Sequence, residues 1–288
     1  TWNKMKRNKK FYIIKDYLVS GDKFHVHWNE KLKRGETQIP EQLDLTKYYN
    51  SRDYTSHKKE NNGFIDKVYL QIQKIMFGFK ESLVRRNTNE NKLLDYGAGL
   101  GNFAIFMSNL DYHVWSIEPN LKALKFAKEK GLSIYDSLEK LPRGLKFSAI
   151  TLWHVLEHIP NPNLILEKLY ERLESDGVLF IAVPNLNSYD ACFYREHWAA
   201  FDVPRHIWHF TTDGINQLLN KCGYIKKSTH PLYFDAFYIS YLSEQYKGSR
   251  FPLLKGLFRG LISNISAYIS GEFSSIIYIY RKQDFLQE

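Results

Sequence analysis

A short apolar strand that runs into a glycine-rich turn constrains this chain more than any other stretch: Leu93-Leu94-Asp95-Tyr96-Gly97-Ala98-Gly99-Leu100-Gly101-Asn102-Phe103. Strand, glycine turn and helix together bring backbone N–H groups up to a nucleotide. The spacing departs from the dinucleotide pattern G-x-G-x-x-G, because the third glycine arrives one position early at Gly101 and Asn102 stands where a small helix-packing residue belongs. Asp95, two residues before the first glycine, would face an incoming pyrophosphate and repel it. The same carboxylate suits a ligand that carries an ammonium and a sulfonium.

Three further strands continue the pattern. Tyr112-His113-Val114-Trp115-Ser116-Ile117-Glu118 ends in an acid 23 residues after Asp95, where a carboxylate can take both hydroxyls of a ribose as paired donors. Leu132-Ser133-Ile134-Tyr135-Asp136 ends in a second acid, placed to accept from the exocyclic amine of adenine. Phe147–Trp153 reads as a fourth strand and runs into His154-Val155-Leu156-Glu157-His158-Ile159-Pro160. Helices are expected at 102–109, 121–130 with a stop at Gly131, and 161–175 with a stop at Gly177, before a strand over Val178–Val183. Thr211 and Thr212 cap a helix that ends at Gly223, and strands follow at Tyr224–Thr229 and Ser274–Arg281. Upstream, Phe64, Ile65, Val68, Tyr69, Ile72, Ile75, Met76 and Phe79 recur at helical spacing.

Over roughly residues 88 to 230 this constellation resembles the class I methyltransferases that use S-adenosylmethionine. The resemblance implies an α/β fold: a Rossmann-like three-layer sandwich around a mostly parallel seven-stranded sheet whose last strand is antiparallel. It also implies that S-adenosylmethionine is the cofactor. The contacts implied are Asp95, Gly97, Ala98, Gly99, Asn102, Phe103, Glu118, Pro119, Asp136, Ser137, Trp153 and His154, with Tyr54 and His57 closing over them. A methyltransferase domain is expected over 61–288, with a helical insertion at about 232–272, after a basic arm and β-hairpin appendage over 1–60. Similar bacterial enzymes often carry a zinc hairpin with paired cysteines in that appendage. The only cysteines here are Cys192 and Cys222, so the hairpin is expected to be held by packing.

Composition excludes little else. The 288 residues can bury a large core, and no apolar run approaches the roughly 18 residues of a membrane span. The first thirty residues lack the apolar segment of a signal peptide, and a cytoplasmic location is expected. The net charge of +9 invites a nucleic-acid partner, but much of the excess sits in Lys4, Lys6, Arg7, Lys9, Lys10 and Lys15. The segment Leu152-Trp153-His154 also lacks the Asp-Pro-Pro-Tyr-like motif of enzymes that methylate nucleic-acid amines. The aromatics around Trp198 and Trp208 and the apolar lid favour a small-molecule, glycan or lipid-linked acceptor, a glycan or sugar nucleotide first and a quinone-like phenol second, the alternative being a non-catalytic cofactor-binding or interaction module. Oligomeric state leaves no mark in the sequence.

Two segments could carry chemistry. His154-Val155-Leu156-Glu157-His158 matches the inverted zinc-protease pattern H-x-x-E-H, but Pro160 and Pro162 would break the helix that such a site needs. Quinone-pathway O-methyltransferases look similar here, with a Glu-His pair matching Glu157 and His158 but an acid at the His154 position. A metal on that pair is conceivable, and none is assigned. Asp202-Val203-Pro204-Arg205-His206-Ile207-Trp208-His209-Phe210 resembles a pattern in a broad bacterial methyltransferase group. O-methylation needs a base, so His206 and His209 are the candidates, with Asp202 orienting and Arg205 clamping an anionic group. The alternative is that Asp202 and Arg205 brace the loop while the histidines satisfy backbone carbonyls. Leu253, Leu254, Leu257, Phe258, Leu261, Ile262, Ile265, Tyr268 and Ile269 form a helical stripe interrupted by Lys255 and Arg259. It is expected to be a lid packed on its own core, with peripheral membrane contact through 251–270 or a hydrophobic substrate tunnel as the alternatives.

Overall fold

The computed structural model describes residues 11–49 and 64–283. A four-stranded antiparallel sheet comes first, from β1 (Phe11–Lys15), β2 (Lys23–Asn29) and β3 (Arg34–Thr37), followed by the single turn α1 (Thr46–Tyr49). Its fourth strand arrives from far along the chain. The long helix α2 (Phe64–Asn87) then leads to β4 (Lys92–Tyr96), α3 (Asn102–Ser108), β5 (His113–Ile117), α4 (Leu121–Glu129), β6 (Ser133–Tyr135) and β7 (Phe147–Trp153). After α5 (Pro162–Arg172) and β8 (Leu173–Pro184) come α6 (Tyr189–Tyr194), the short β9 (Trp208–Phe210), α7 (Thr212–Lys221) and β10 (Tyr224–Pro231). The helices α8 (Tyr233–Tyr246) and α9 (Pro252–Ser270) precede the last strand, β11 (Ser275–Lys282).

The main sheet has the order β10-β11-β8-β7-β4-β5-β6. β11 is antiparallel to both of its neighbours, whereas β4 to β8 pair in parallel. Consecutive side chains of a strand point to opposite faces, and here both faces are buried. Leu93, Phe180 and Ala182 join Leu83 and Val84 of α2 and Met107 of α3 on one side. Leu94, Leu179 and Ile181 join Leu166 and Leu169 of α5 and Ile215 and Leu219 of α7 on the other. The helix expected over 64–79 continues to Asn87, and its buried residues among those described are Leu83 and Val84 in that extension, whereas Ile75 of the expected apolar face is exposed.

Two boundaries differ from expectation. α5 stops at Arg172, and β8 begins at Leu173, opposite Phe147, before looping out and rejoining at Val178 opposite Ala149. The turn-back needs Gly177, where a Cβ would lie 2.6 Å from Leu173 Cδ2 and 2.9 Å from Phe147 O. The apolar stripe of α9 also faces the other way. Its small residues Gly256, Gly260, Ser263, Asn264 and Ala267 are buried, while Leu253, Leu254, Leu257, Phe258, Leu261, Ile265, Tyr268 and Ile269 are exposed. A Cβ at Gly256 would come within 2.5 Å of Tyr241 Cα, and one at Gly260 within 2.7 Å of Phe237 Cα. Backbone-to-backbone approach with α8 therefore takes the small face inward and leaves the large side chains outside.

The N-terminal strands are tied to the main body by β9, which pairs with β3 from Arg34↔Phe210 to Glu36↔Trp208. No metal-ligating cluster lies in this sheet among the described residues; Ile14, Phe24, Val26 and Tyr48 pack against Leu186, Trp198, Phe201 and Ile239. Asp190 of α6 holds that junction together. It is fully buried and accepts from Trp198 Nε1 at 2.7 Å, Ser263 Oγ at 2.8 Å and Ser274 Oγ at 2.7 Å. Asp190→Ala would strand three buried donors and should cost about 3 kcal/mol, taking the lower end of about 1 kcal/mol per unmet group. Thermal unfolding should then fall by roughly 6–12 °C; a melting temperature that does not move would show that the network is dispensable.

Candidate active site

The glycine turn joins β4 to α3 at the carboxyl edge of the sheet. Gly97, Gly99 and Gly101 all have positive φ, at 79°, 55° and 74°, which glycine adopts without strain. This folding lets the N–H groups of Gly97 and Ala98 donate to Ile117 O at 2.8 and 3.0 Å. It also lets Gly99 N–H donate to Glu118 Oε2 at 2.7 Å, while Asn120 N–H donates to Glu118 Oε1 at 2.8 Å. A Cβ on Gly99 would meet nothing within 4 Å, so the turn opens onto free space there. On Gly97 it would collide with the Val155 side chain at 2.5 Å. Glu118 is 9% exposed, and burial raises its pKa against the pull of the two N–H donors.

Asp95 is 2% exposed and accepts from Thr151 Oγ1 at 2.8 Å. Burial pushes its pKa up to about 6, with Thr151 and the Lys80 ammonium pulling it back and Glu118 adding to the rise. Lys80 belongs to α2, is half-buried, and sets its Nζ 4.5 Å from the centre of the Trp153 ring. Burial pulls its pKa down to about 8 against the attraction of Asp235 and Asp95. Trp153 Nε1 is a buried donor with no partner. His154 has a φ of 56°, and its Nε2 lies 3.0 Å from Asp235 Oδ2 while its Nδ1 lies 3.5 Å from Glu157 Oε1. Burial opposes the charge on His154, but the two carboxylates outweigh it and raise the pKa to about 9.

The other residues named from the sequence fall as follows. Asn102 opens α3 and accepts from Lys130 Nζ at 3.5 Å, and Phe103 is buried edge-on against Trp153. Pro119 is exposed, Asp136 pairs with Lys140, and Ser137 precedes the 3-10 turn Leu138–Lys140. Tyr54 and His57 lie outside the described residues. Lys80 and Asp235 escaped sequence reading. For Lys80 the signal was a cation beside the apolar run that ends at Phe79; for Asp235, 81 residues beyond His154, there was none.

The segment 202–209 adopts the bracing arrangement. Arg205 is 1% exposed, gives Nε to Asp202 Oδ2 at 2.9 Å and Nη2 to Asp202 Oδ1, and lies 3.7 Å from Asp16 Oδ1. Arg205 thereby braces the loop against the end of β1, while its Nη1 is buried without a hydrogen-bond partner. His206 Nδ1 donates to Ala200 O at 2.8 Å. His209 is 3% exposed, with Nε2 2.8 Å from Thr37 Oγ1, which itself donates to His206 O. Burial, helped by the neighbouring His206, pushes the His209 pKa down to about 3. So enclosed, His209 helps to lock β9 to β3. Glu157 is 1% exposed, and its carboxylate meets no hydrogen-bond donor beyond the long approach of His154 Nδ1.

The glycine turn and the acids that follow it lie within the residues that a family model matches. The sequence profile of the "Methyltransferase domain" family matches residues 70–226, more than half of the chain, and the chain belongs to that family. A ubiquinone biosynthesis O-methyltransferase from Glaesserella parasuis serovar 5 (strain SH0165) is 32% identical over 107 residues, 33% of this chain and 45% of that protein. The mitochondrial ubiquinone biosynthesis O-methyltransferase of Candida albicans is 30% identical over 166 residues, covering 48% and 51%. The chain thus spans about half the length of the curated relatives it matches. Among solved structures, a phosphoethanolamine N-methyltransferase 2 from Haemonchus contortus in complex with S-adenosyl-L-methionine has a TM-score of 0.55 at 12% identity, over 87% of this chain and 62% of that one. Coclaurine N-methyltransferase has a TM-score of 0.52 at 12% identity, over 87% and 84%. These two likenesses concern the fold.

The buried neutral His209 makes stability depend on pH. Unfolded, it takes a proton near 6.5; folded, it stays neutral down to about 3, so the unfolded chain binds more protons in between and stability falls with acid. The loss approaches about 1.4 kcal/mol per pH unit. Urea unfolding of the wild type and His209→Asn at pH 7 and pH 5 should show the wild type losing about 2 kcal/mol more than the variant. Equal losses would contradict the placement of His209.

Proposed function

We propose that the edge formed by Asp95, Gly97, Ala98, Gly99 and Glu118 holds S-adenosylmethionine, with Asp136 and Ser137 beside the adenine. The observation that carries this reading is the state of Glu118. Each of its oxygens accepts one backbone N–H, which leaves each a lone pair for one of two neighbouring ribose hydroxyls. Asp95 and Lys80 add a matched pair of opposite charges at the same edge, suited to the ammonium and carboxylate of an amino acid. Trp153 Nε1, buried without a partner, adds a donor. The cofactor supplies a methyl already activated on a sulfonium, so this chain's residues have to orient it, exclude water and provide for the proton that leaves the acceptor.

For the acceptor we propose a hydroxyl of a small, quinone-like phenol carried by a lipid. Two observations favour this over a glycan: the curated relatives named above act in ubiquinone biosynthesis by their names, and the exposed face of α9 is apolar, contains Lys255 and has no acidic residue. Among the described residues no helix is long and apolar enough to cross a membrane. A surface helix of this kind rests on an anionic bilayer without crossing it. We propose that loss of the phenolic proton falls to the cluster of Glu157, half-buried His158 and His206, and not to His209.

Label transfer from methyl-labelled cofactor tests the reading. Catechol with a polyprenyl tail in anionic vesicles should be labelled at the oxygen, and Leu257→Glu with Phe258→Glu should lower that rate by about tenfold while sparing a soluble catechol. Label on a glycan alone, or equal rates for the variant and the wild type in vesicles, would overturn it.

A further inference from the structure

Three charged side chains stand in line between the hairpin of α8 and α9 and the turn after β7. Asp235 lies in the first turn of α8, His154 follows the last residue of β7, and Glu157 lies on the 3-10 turn Leu156–His158. His154 Nε2 is 3.0 Å from Asp235 Oδ2, and His154 Nδ1 is 3.5 Å from Glu157 Oε1. Ionised carboxylates only accept hydrogen bonds, so a ring with one at each nitrogen fits an imidazolium, in which both nitrogens donate. The backbone is bent to put it there. His154 has a φ of 56°, a left-handed value uncommon for a residue with a Cβ, and its N–H donates to Ala182 O at 2.9 Å.

The two carboxylates depend on that cation to different degrees. Asp235 is half-buried, faces Ser275 of β11 and feels the Lys80 ammonium of α2, which Asp95 of β4 also attracts. Glu157 is 1% exposed, and neither of its oxygens has a hydrogen-bond partner. Burial pushes the Glu157 pKa up, and His154 leads the groups that bring it below the ordinary carboxylate value, ahead of His206 and His158. His158 itself is held neutral, since burial, helped by His206, pulls its pKa down to about 4. Without a cation beside it, a carboxylate so desolvated takes up a proton.

We infer that Asp235 and His154 are positioning residues for methyl transfer: Asp235 holds the His154 ring as a cation against Glu157, and that cation keeps Glu157 ionised. The inference rests on the reading that Glu157, His158 and His206 take the acceptor's proton. A cluster that already holds a proton on Glu157 has lost the negative charge that draws the acceptor's proton in. One residue of a hairpin distant in sequence thereby sets the protonation of the turn after β7.

NMR titration of the whole protein, with its histidine rings and glutamate carboxyls isotope-labelled, tests this without a transfer assay. In the wild type, which needs no variant to fold, His154 should keep its proton up to about pH 9; titration near the ordinary 6.5 overturns the inference. Asp235→Asn keeps an acceptor oxygen without the charge, and His154→Gln removes the cation while leaving Asp235 to Lys80. Each should raise the Glu157 midpoint by about one pH unit or more. With soluble catechol and saturating cofactor, the acid limb of kcat should move up by the same interval in both variants. A Glu157 midpoint or an acid limb that stays in place in both overturns the inference and leaves the pair a structural tie between hairpin and turn. Glu157→Gln that transfers at the wild-type rate overturns the proton-acceptor reading itself, and the inference with it. If catechol takes no methyl from the wild type, the acceptor reading fails, and the two NMR midpoints decide the inference on their own.

Discussion

Desolvated charge at the carboxyl edge of the sheet is the constraint around which the rest of the molecule is arranged. Asp95, Glu118 and Glu157 are buried, Asp235 is half-buried, and the cations set against them are Lys80 and His154. A buried carboxylate is costly unless something answers it. Here Glu118 is answered by backbone N–H groups that exist only because the glycine turn goes left-handed, and Asp95 by Thr151 and the field of Lys80. The perturbed pKa values of Asp95, Lys80 and His154 follow from that crowding, and such perturbation gathers where chemistry is done.

The rest of the chain builds walls around this edge. The N-terminal sheet would have an open side at β3, but β9 covers it, and Arg34 stacks on the Trp208 ring at 4.0 Å across that seam. Arg205 and Asp16 extend the same seam to the end of β1. The hairpin of α8 and α9 contributes Asp235 to the edge and turns its large apolar side chains outward. One helix pair thereby both completes the charge network and leaves an apolar face exposed.

The sequence made the sheet legible because its strands are short apolar runs, three of them (β4, β5 and β6) closed by a glycine turn or an acid, and such runs end where the chain must turn. Asp95, Glu118 and Asp136 could be ranked by position on that account. Residues acting across the fold were harder to see. Lys80 continues an ordinary amphipathic helix, and Asp235 reaches His154 only through the packing of a distant hairpin. The stripe of α9 was visible, but its facing was not: Gly256 and Gly260 read as gaps in a hydrophobic pattern, although they are what lets α8 approach. The histidine-rich segment showed the opposite failure, since His206 and His209 look alike in sequence. Enclosure against Thr37 separates His209 from His206, whose Nε2 stays available.

Calorimetric titration with S-adenosylhomocysteine, on the wild type and Asp95→Asn at pH 7.5 and pH 5, tests the central claim most directly. In the free protein Asp95 holds a proton below about 6, and an ammonium partner requires it to give that proton up. The account predicts one micromolar site whose affinity falls by about tenfold between the two pH values with proton release at the lower one, and a weaker, pH-independent site in the variant. Wild-type affinity unchanged with pH, or equal affinity in the two proteins, would contradict it.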